Sequence, residues 1–323
     1  MYSIYTSPSQ LKLMDGQVIF SISNPLRILD LCETVGSEYQ LTGPKDTLIS
    51  SVASLHSGDQ SSLVFCRKVG VRAQEEIKNS ISGTIVCKQK VSNVPNKTLI
   101  VVDDPRGWFI DALNILNPII LSADNGSSSP VSPDAKIGRG VKIGPGSVVE
   151  AGAIIGDDCT IGAFCYLGSA AILEPSVVLQ SHTSVGNPGL SFHERPNGDH
   201  IFFQHMGHAI IGTKTVVGAY SSIVRGVLEN TTIGKECEIG NYVNIGHNCE
   251  VGNGVFISSS SVLTGGVRLG AHSRVAAGCK ITAHCKVGKN SRIGLGSVVV
   301  RDIGDGEKVF GNPARPLPTM REF

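Results

Sequence analysis

From Ile233 onward an aliphatic residue recurs at every sixth position: Ile239, Ile245, Val251, Ile257, Leu263, Leu269, Val275, Ile281, Val287, Ile293 and Val299. The same rule holds at Ile137, Ile143, Val149, Ile155, Ile161, Leu167, Leu173, Leu179 and Val185, and again at Ile211, Val217 and Ile223. Few folds accommodate it. An amphipathic helix repeats at about 3.6 residues and a half-buried strand at 2. A unit of one short strand plus one tight corner does repeat every six, with the aliphatic residue pointing inward onto its copy in the next coil. Three units close a triangular coil, and successive coils stack at about 4.8 Å. The pattern predicts a mainly β protein, a parallel β-helix. Gly follows many of the aliphatic residues, as at Gly138, Gly144, Gly234 and Gly246, where a side chain would be strained or crowded.

The register also accounts for most of the nine cysteines. Cys159, Cys165, Cys237, Cys249, Cys279 and Cys285 each fall four places after an aliphatic position, a slot filled elsewhere by Ala, Ser or Val. They read as small core residues rather than disulfides or metal ligands, and free thiols suit a reducing compartment. The 28 Lys+Arg and 27 Asp+Glu nearly cancel, which argues against a nucleic-acid footprint. No stretch approaches the roughly 20 apolar residues of a membrane span. The opening "MYSIYTSPSQLKLMDG" lacks the order of a signal peptide, so a cytoplasmic location is expected.

Residues 1–125 read as a mixed α/β domain. "QVIFSI", "LISSVASL", "SLVFCRK", "GTIVCKQ" and "TLIVVDDP" are strand-like, and "RAQEEIKNSI" and "GWFIDALNIL" have helical spacing. A loop is expected over 121–130, the β-helix over 126–310 and a C-terminal tail over 311–323. Residues 186–210 are too polar and aromatic for a coil and predict a long loop excursion, a candidate lid. "VRGVLENT" shifts the register and predicts a smaller bulge.

The repeat resembles that of the hexapeptide acyltransferases, a resemblance that implies a left-handed β-helix and a homotrimer; the period itself sets no handedness. Within that family "IGHNCEVG", "SSIVRGVLENTTIG" and "ITAHCKVG" look like segments of the UDP-3-O-acylglucosamine N-acyltransferases of lipid A synthesis. "ISSVASLHSGDQSSLVF" resembles their nucleotide-binding domain. Two departures stand out. A second aromatic that would sandwich uracil with Phe65 falls near Val71, and the chain stops soon after "FGNPARPLP", like CoA-dependent amino-sugar acetyltransferases. The expectation is therefore N-acylation of a nucleotide-linked amino sugar (UDP or dTDP) by acyl-CoA. The alternatives are the lipid A step with acyl carrier protein as donor, and a non-catalytic trimeric scaffold or sugar-nucleotide binding module.

Acyl transfer from a thioester to an amine needs a base, and a His near its ordinary pKa suits that task. His247 lies two residues past the inward Ile245, so it should project outward as the base; an exposed corner His is the plain alternative. His284 is two coils and one residue further on, a second catalytic candidate or a structural corner residue. The roughly 10 Å this implies between the rings argues against a shared metal, and neither a metal nor a resident cofactor is expected. Asn241, Asn244 and Asn248 are candidates to hold sugar hydroxyls or the His tautomer, or plain corner residues; the resemblance favours Asn241, whose offset from the His matches the family's. Phe65, Phe192 and His205 are further substrate-binding candidates, with His193, Phe202 and Phe203 in the same excursion. For the acyl donor, Gly265, Ala276 and Gly278 should expose backbone groups along a groove. Arg274, Arg292 and Arg315 are candidate phosphate partners, with Lys289 and Lys308 beside them.

Overall fold

The structure, a computed structural model, describes residues 3–5, 11–14, 17–118, 120–122 and 130–316. The chain divides into two compact units. One holds Met1–Ala123 and Leu190–Met206, and the other Asp124–Gly189 and Gly207–Phe323. The expected boundary at 125, most of the 121–130 loop and the end of the 311–323 tail lie outside the described residues.

The first unit is built on a seven-stranded sheet. Its order is Leu11–Met14, Gln17–Arg27, Leu48–Ala53, Ser62–Phe65, Thr84–Cys87, Thr98–Val101, Gln40–Thr42. The strands from Leu48 to Val101 run parallel, and an antiparallel strand flanks them on each side. Among the described residues three helices accompany them: α1 (Ile28–Val35), α2 (Gly70–Asn79) and α3 (Pro105–Leu116), which follows the Thr98–Val101 strand. The spacing reveals α2 and α3 but not α1, a short helix that starts directly from the Gln17–Arg27 strand. α3 begins where Pro105 can follow a cap: the Asp104 carboxylate accepts from the Gly107 N–H at 3.1 Å. A Cβ at Gly107 would stand 2.1 Å from the Asp104 carboxylate, so this first turn requires glycine. Trp108, Ile110, Leu113 and Leu116 are buried as the spacing implies, but so are Phe109 and Ala112. α3 is covered on two sides, by the sheet and by residues of the excursion.

The second unit is a β-solenoid with three sheets. The first face starts at Lys136–Ile137, the second at Lys142–Ile143 and the third at Val148–Val149. They contain eight, ten and eight strands, parallel throughout except for the last strand of the second face, Arg315–Pro316. The aliphatic register residues from Val149 to Val299 are buried. Ile137, in the first strand of its face, is 42% exposed. All nine cysteines are free and buried. In the register slot, Cys237, Cys249 and Cys279 donate their thiols to carbonyls one coil on, at 3.1, 3.2 and 3.1 Å. Burial pushes the Cys249 thiol up to about 11, which suits an inert core group.

One corner departs from the small-residue rule. Phe164, His182, Tyr220 and Tyr242 all have left-handed backbones, with φ of 54°, 62°, 59° and 58°. Their rings stack at 5.3, 4.6 and 5.1 Å with planes within 12° of parallel. Left-handed geometry is costly for bulky residues, and the ring contacts offset part of that cost. Below Tyr242 the column continues with Ser260, Gly278 and Gly296, and the ladder ends.

Ile257 is fully buried at the centre of this core. Truncation to Ala is expected to cost about 2–5 kcal/mol, read as a lower urea midpoint, because neighbouring coils cannot collapse into the gap. Cys249→Ala, which removes one small atom, should cost about 1 kcal/mol.

Candidate active site

His247 sits on the corner that follows the third-face strand Asn244–Ile245. Its Nδ1 lies 2.8 Å from the Asn248 Oδ1. Asn248 is left-handed, with φ 58°, which Asn tolerates better than most residues. Two further bonds fix its side-chain amide and a third its backbone. The Val227 N–H donates to Oδ1 at 3.1 Å, Nδ2 donates to the Glu229 carbonyl at 3.4 Å, and the Asn248 N–H donates to Thr231 Oγ1 at 2.9 Å. A carbonyl oxygen can only accept, so the imidazole carries a proton on Nδ1 in this contact.

The next coil receives the ring. A Cβ at Gly265 would lie 2.6 Å from Cε1 and 2.7 Å from Nε2 of His247. A Cβ at Gly266 would lie 2.5 Å from Nδ1 of His284. The backbone repeats the sandwich: Gly266 N–H donates to the His247 carbonyl at 2.8 Å, and His284 N–H donates to the Gly265 carbonyl at 3.1 Å. The two histidines thus share one corner column with Gly265–Gly266 between them. The Gly265 carbonyl, expected to be open to an acyl donor, is committed to His284. His284 itself has a left-handed backbone, φ 64°, one place further round the corner than His247.

Of the asparagines, Asn248 makes the clamp. Asn241 occupies the preceding corner, where its Oδ1 accepts from Ala219 N–H at 2.9 Å. Within one chain the structure does not bring it to His247. Asn244 is exposed on the strand leading into His247, in line with Ser222 and Val262. Arg274, Ala276 and Arg292 do come together: with Phe256, Ala277 and Leu295 they line a cavity of about 380 Å³ along the second face. The Arg274 guanidinium lies 5.9 Å from the Phe256 ring centre. Gly278 turns the adjoining corner with φ 70° and donates its N–H to the Ser259 carbonyl at 2.9 Å. Arg315 is exposed on the terminal strand, opposite Phe310. Among the described residues no three His, Cys, Asp or Glu side chains cluster as a metal site would require.

The excursion is not a free lid. Gln204, fully buried, donates its amide to the carbonyls of Leu113 (3.3 Å) and Asn117 (2.9 Å) at the end of α3. His193 Nε2 meets the Asp104 carboxylate at 2.7 Å, and Arg195 meets Asp111 at 2.5 Å. Phe203 packs with Phe65 and Phe109, whose own centroids are 4.8 Å apart. Phe65 is therefore engaged on one side by core rings. Val71, where a second aromatic is absent, is 72% exposed in the first turn of α2. His205, expected to reach a substrate, is instead buried with its Nε2 2.9 Å from Ser191 Oγ. Phe192 remains 54% exposed.

Burial pushes the Asp104 carboxyl up, but the Gly107 N–H, the His193 ring and the Arg195 charge outweigh it and leave it below the usual range. A depressed folded value means that the tie is intact above the unfolded carboxylate value of about 3.9 and is lost as pH falls through the folded value. Limited proteolysis within 190–206 should show protection down to about pH 4 and cleavage below it. Asp104→Asn should bring cleavage to neutral pH.

A three-faced hexapeptide solenoid carrying an outward, tautomer-fixed His defines the class, the hexapeptide-repeat acyltransferases. Residues 134–169 match the family model "Bacterial transferase hexapeptide (six repeats)", and residues 226–320 match "GMPPB C-terminal domain". The UDP-3-O-acylglucosamine N-acyltransferase of Sinorhizobium medicae is 40% identical over 96% of this chain and 94% of its own length. That of Rhizobium meliloti is 33% identical over the same shares. The chain belongs to the UDP-3-O-acylglucosamine N-acyltransferase family and is an acyltransferase. Among solved structures, the UDP-N-acetylglucosamine acyltransferase of Bacteroides fragilis superposes with a TM-score of 0.53 at 21% identity, covering 59% of this chain and 73% of the other, a likeness of fold. Among the described residues no helix is long and apolar enough to cross a membrane.

Proposed function

We propose that the protein N-acylates UDP-3-O-acylglucosamine from an acyl thioester carried by acyl carrier protein, the lipid A step, with His247 as general base. The observation that carries the base assignment is the clamp: the Asn248 Oδ1, itself fixed by the Val227 N–H, meets Nδ1 and orients the ring on its corner. As the amine nitrogen bonds to the thioester carbonyl carbon, its proton passes to Nε2. The C–S bond then breaks and the proton goes to the leaving thiolate. The relatives support this sugar over the other amino sugar expected from the sequence, because both are UDP-3-O-acylglucosamine N-acyltransferases aligned over 96% of this chain. The acyl arm is assigned to the cavity of Arg274, Ala276 and Arg292, whose guanidiniums suit a phosphate and whose floor is apolar. The His column and this cavity occupy different corners of one chain, and a homotrimer, as the resemblance implies, is the arrangement in which they serve one reaction. His284 is assigned to the donor side of the base.

The test is a panel. UDP-3-O-acylglucosamine, UDP-glucosamine and dTDP-amino sugars are each offered with acyl carrier protein and CoA thioesters. The highest kcat/KM is expected for UDP-3-O-acylglucosamine with the carrier protein. A preference for an amino sugar without the 3-O-acyl chain overturns the substrate, and a preference for CoA overturns the donor.

A further inference from the structure

A buried cation lies where the chain leaves and re-enters the solenoid. Arg225 is 5% exposed. Its backbone N–H donates to the Asn187 carbonyl at 3.0 Å, just before the excursion. Its Nε–H donates to the Gly207 carbonyl at 2.7 Å, just after it. Burial pulls the guanidinium down to about 10, against the Glu150 and Tyr166 charges that hold it up. Glu150 is buried too, bonded to the Tyr166 hydroxyl and, at 3.0 Å, to the Ser169 N–H. Keeping charges inside a solenoid is costly.

The bulge that follows Arg225 is packed without slack. Gly207 N–H donates to the Gly226 carbonyl at 2.9 Å. A Cβ at Gly226 would stand 1.6 Å from the Glu229 carbonyl oxygen, and one at Gly207 would stand 2.0 Å from it. That oxygen is the acceptor of Asn248 Nδ2, and the Val227 N–H supplies Asn248 Oδ1. Arg225, Gly207, the 226–229 backbone, Asn248 and His247 form one continuous bonded path.

We propose that Arg225 is a positioning residue for acyl transfer: by holding the Gly207 carbonyl through its side chain it fixes the 226–229 backbone that orients Asn248, and so keeps His247 protonated on Nδ1. The proposal rests on His247 being the base. A displaced bulge leaves Asn248 free to rotate and lets the imidazole populate the other tautomer, with its proton on the nitrogen that must accept one.

Long-range proton–nitrogen correlation spectra of histidine-labelled protein, recorded well above the imidazole titration, read this directly, with His247→Ala assigning the signal. The wild type should show a protonated Nδ1 and a bare Nε2. Arg225→Met should show mixed tautomers and a fall in kcat of about tenfold or more with KM within about twofold. Arg225→Lys, which keeps the charge but loses the planar donor, should lie between them. An unmoved tautomer and kcat in a folded Arg225→Met protein overturn the proposal. If that variant does not fold, Arg225→Lys with wild-type signals overturns it. A wild-type His247 protonated on Nε2 overturns it without any variant. Retained turnover in His247→Ala sinks the base reading instead, and the tautomer shifts still report whether Arg225 positions the ring.

Discussion

His247→Ala is expected to lower kcat by about 10²–10⁴-fold with the melting temperature nearly unchanged. The range is that of losing a positioned proton acceptor. The ring is only partly buried and caps a corner, while Ile245 and Cys249 on either side carry the packing. Removing it deletes no core volume, so loss of activity without loss of stability separates chemistry from structure. KM for the sugar should move little, because the proton transfer develops only in the transition state. His247→Gln, which keeps a polar group but cannot hold a proton, should be as impaired. A folded His247→Ala protein with wild-type kcat would falsify the base assignment.

Gly265→Ala is the second large expected effect and the more counterintuitive. One methyl group is added at a corner whose backbone accepts it. The new Cβ nevertheless needs the space of His247 Cε1 and Nε2, at 2.6 and 2.7 Å. The imidazole is flexible at its far end, so the ring moves and the coil survives. A shift of about 1 Å in a reacting group costs on the order of 10²-fold in rate. The variant should keep its melting temperature and lose about that much kcat, with Nδ1 of His247 no longer aligned with Asn248. Gly306→Ala is the control: its φ of 68° strains a side chain, but a Cβ there meets nothing within 4 Å. It should lose stability rather than catalytic rate. Equal kcat losses in the two variants would show that the Gly265 effect is only general loosening.

The solenoid is legible because its register is a one-dimensional rule: each aliphatic residue is buried by its own copies, so local sequence determines the packing. The cysteine slot follows from the same rule. The long excursion is legible as a break in that rule, but its fate is not. Asp104 with His193 and Asp111 with Arg195 are pairings between residues far apart in the chain, and no local pattern couples them. α1 escapes the spacing because it is short and begins straight from a strand. Of the candidate site, His247 and His284 are visible as residues the register does not need. The role of Asn248 is only half visible. Its left-handed corner suits any Asn, and its clamp depends on Val227 and Glu229 in a bulge whose shape the repeat does not specify. The paired glycines at 265 and 266 look like ordinary corner residues until the rings above and below them are placed. The aromatic ladder from Phe164 to Tyr242 runs against the small-residue expectation for corners, because stacking between coils offsets strain that each coil alone would bear.

The central claim is that this chain forms an amide on an amino sugar through His247. The most direct measurement is the linkage of the product. Purified protein is incubated with UDP-3-O-acylglucosamine and an acyl carrier protein thioester, and the product is analysed by mass spectrometry before and after mild alkali. The account predicts a product heavier by one acyl group, whose new chain survives alkali as an amide, with one thiol released per chain and formation slowed about 10²-fold or more in His247→Ala. An alkali-labile ester, or the same amide from His247→Ala at the wild-type rate, contradicts it.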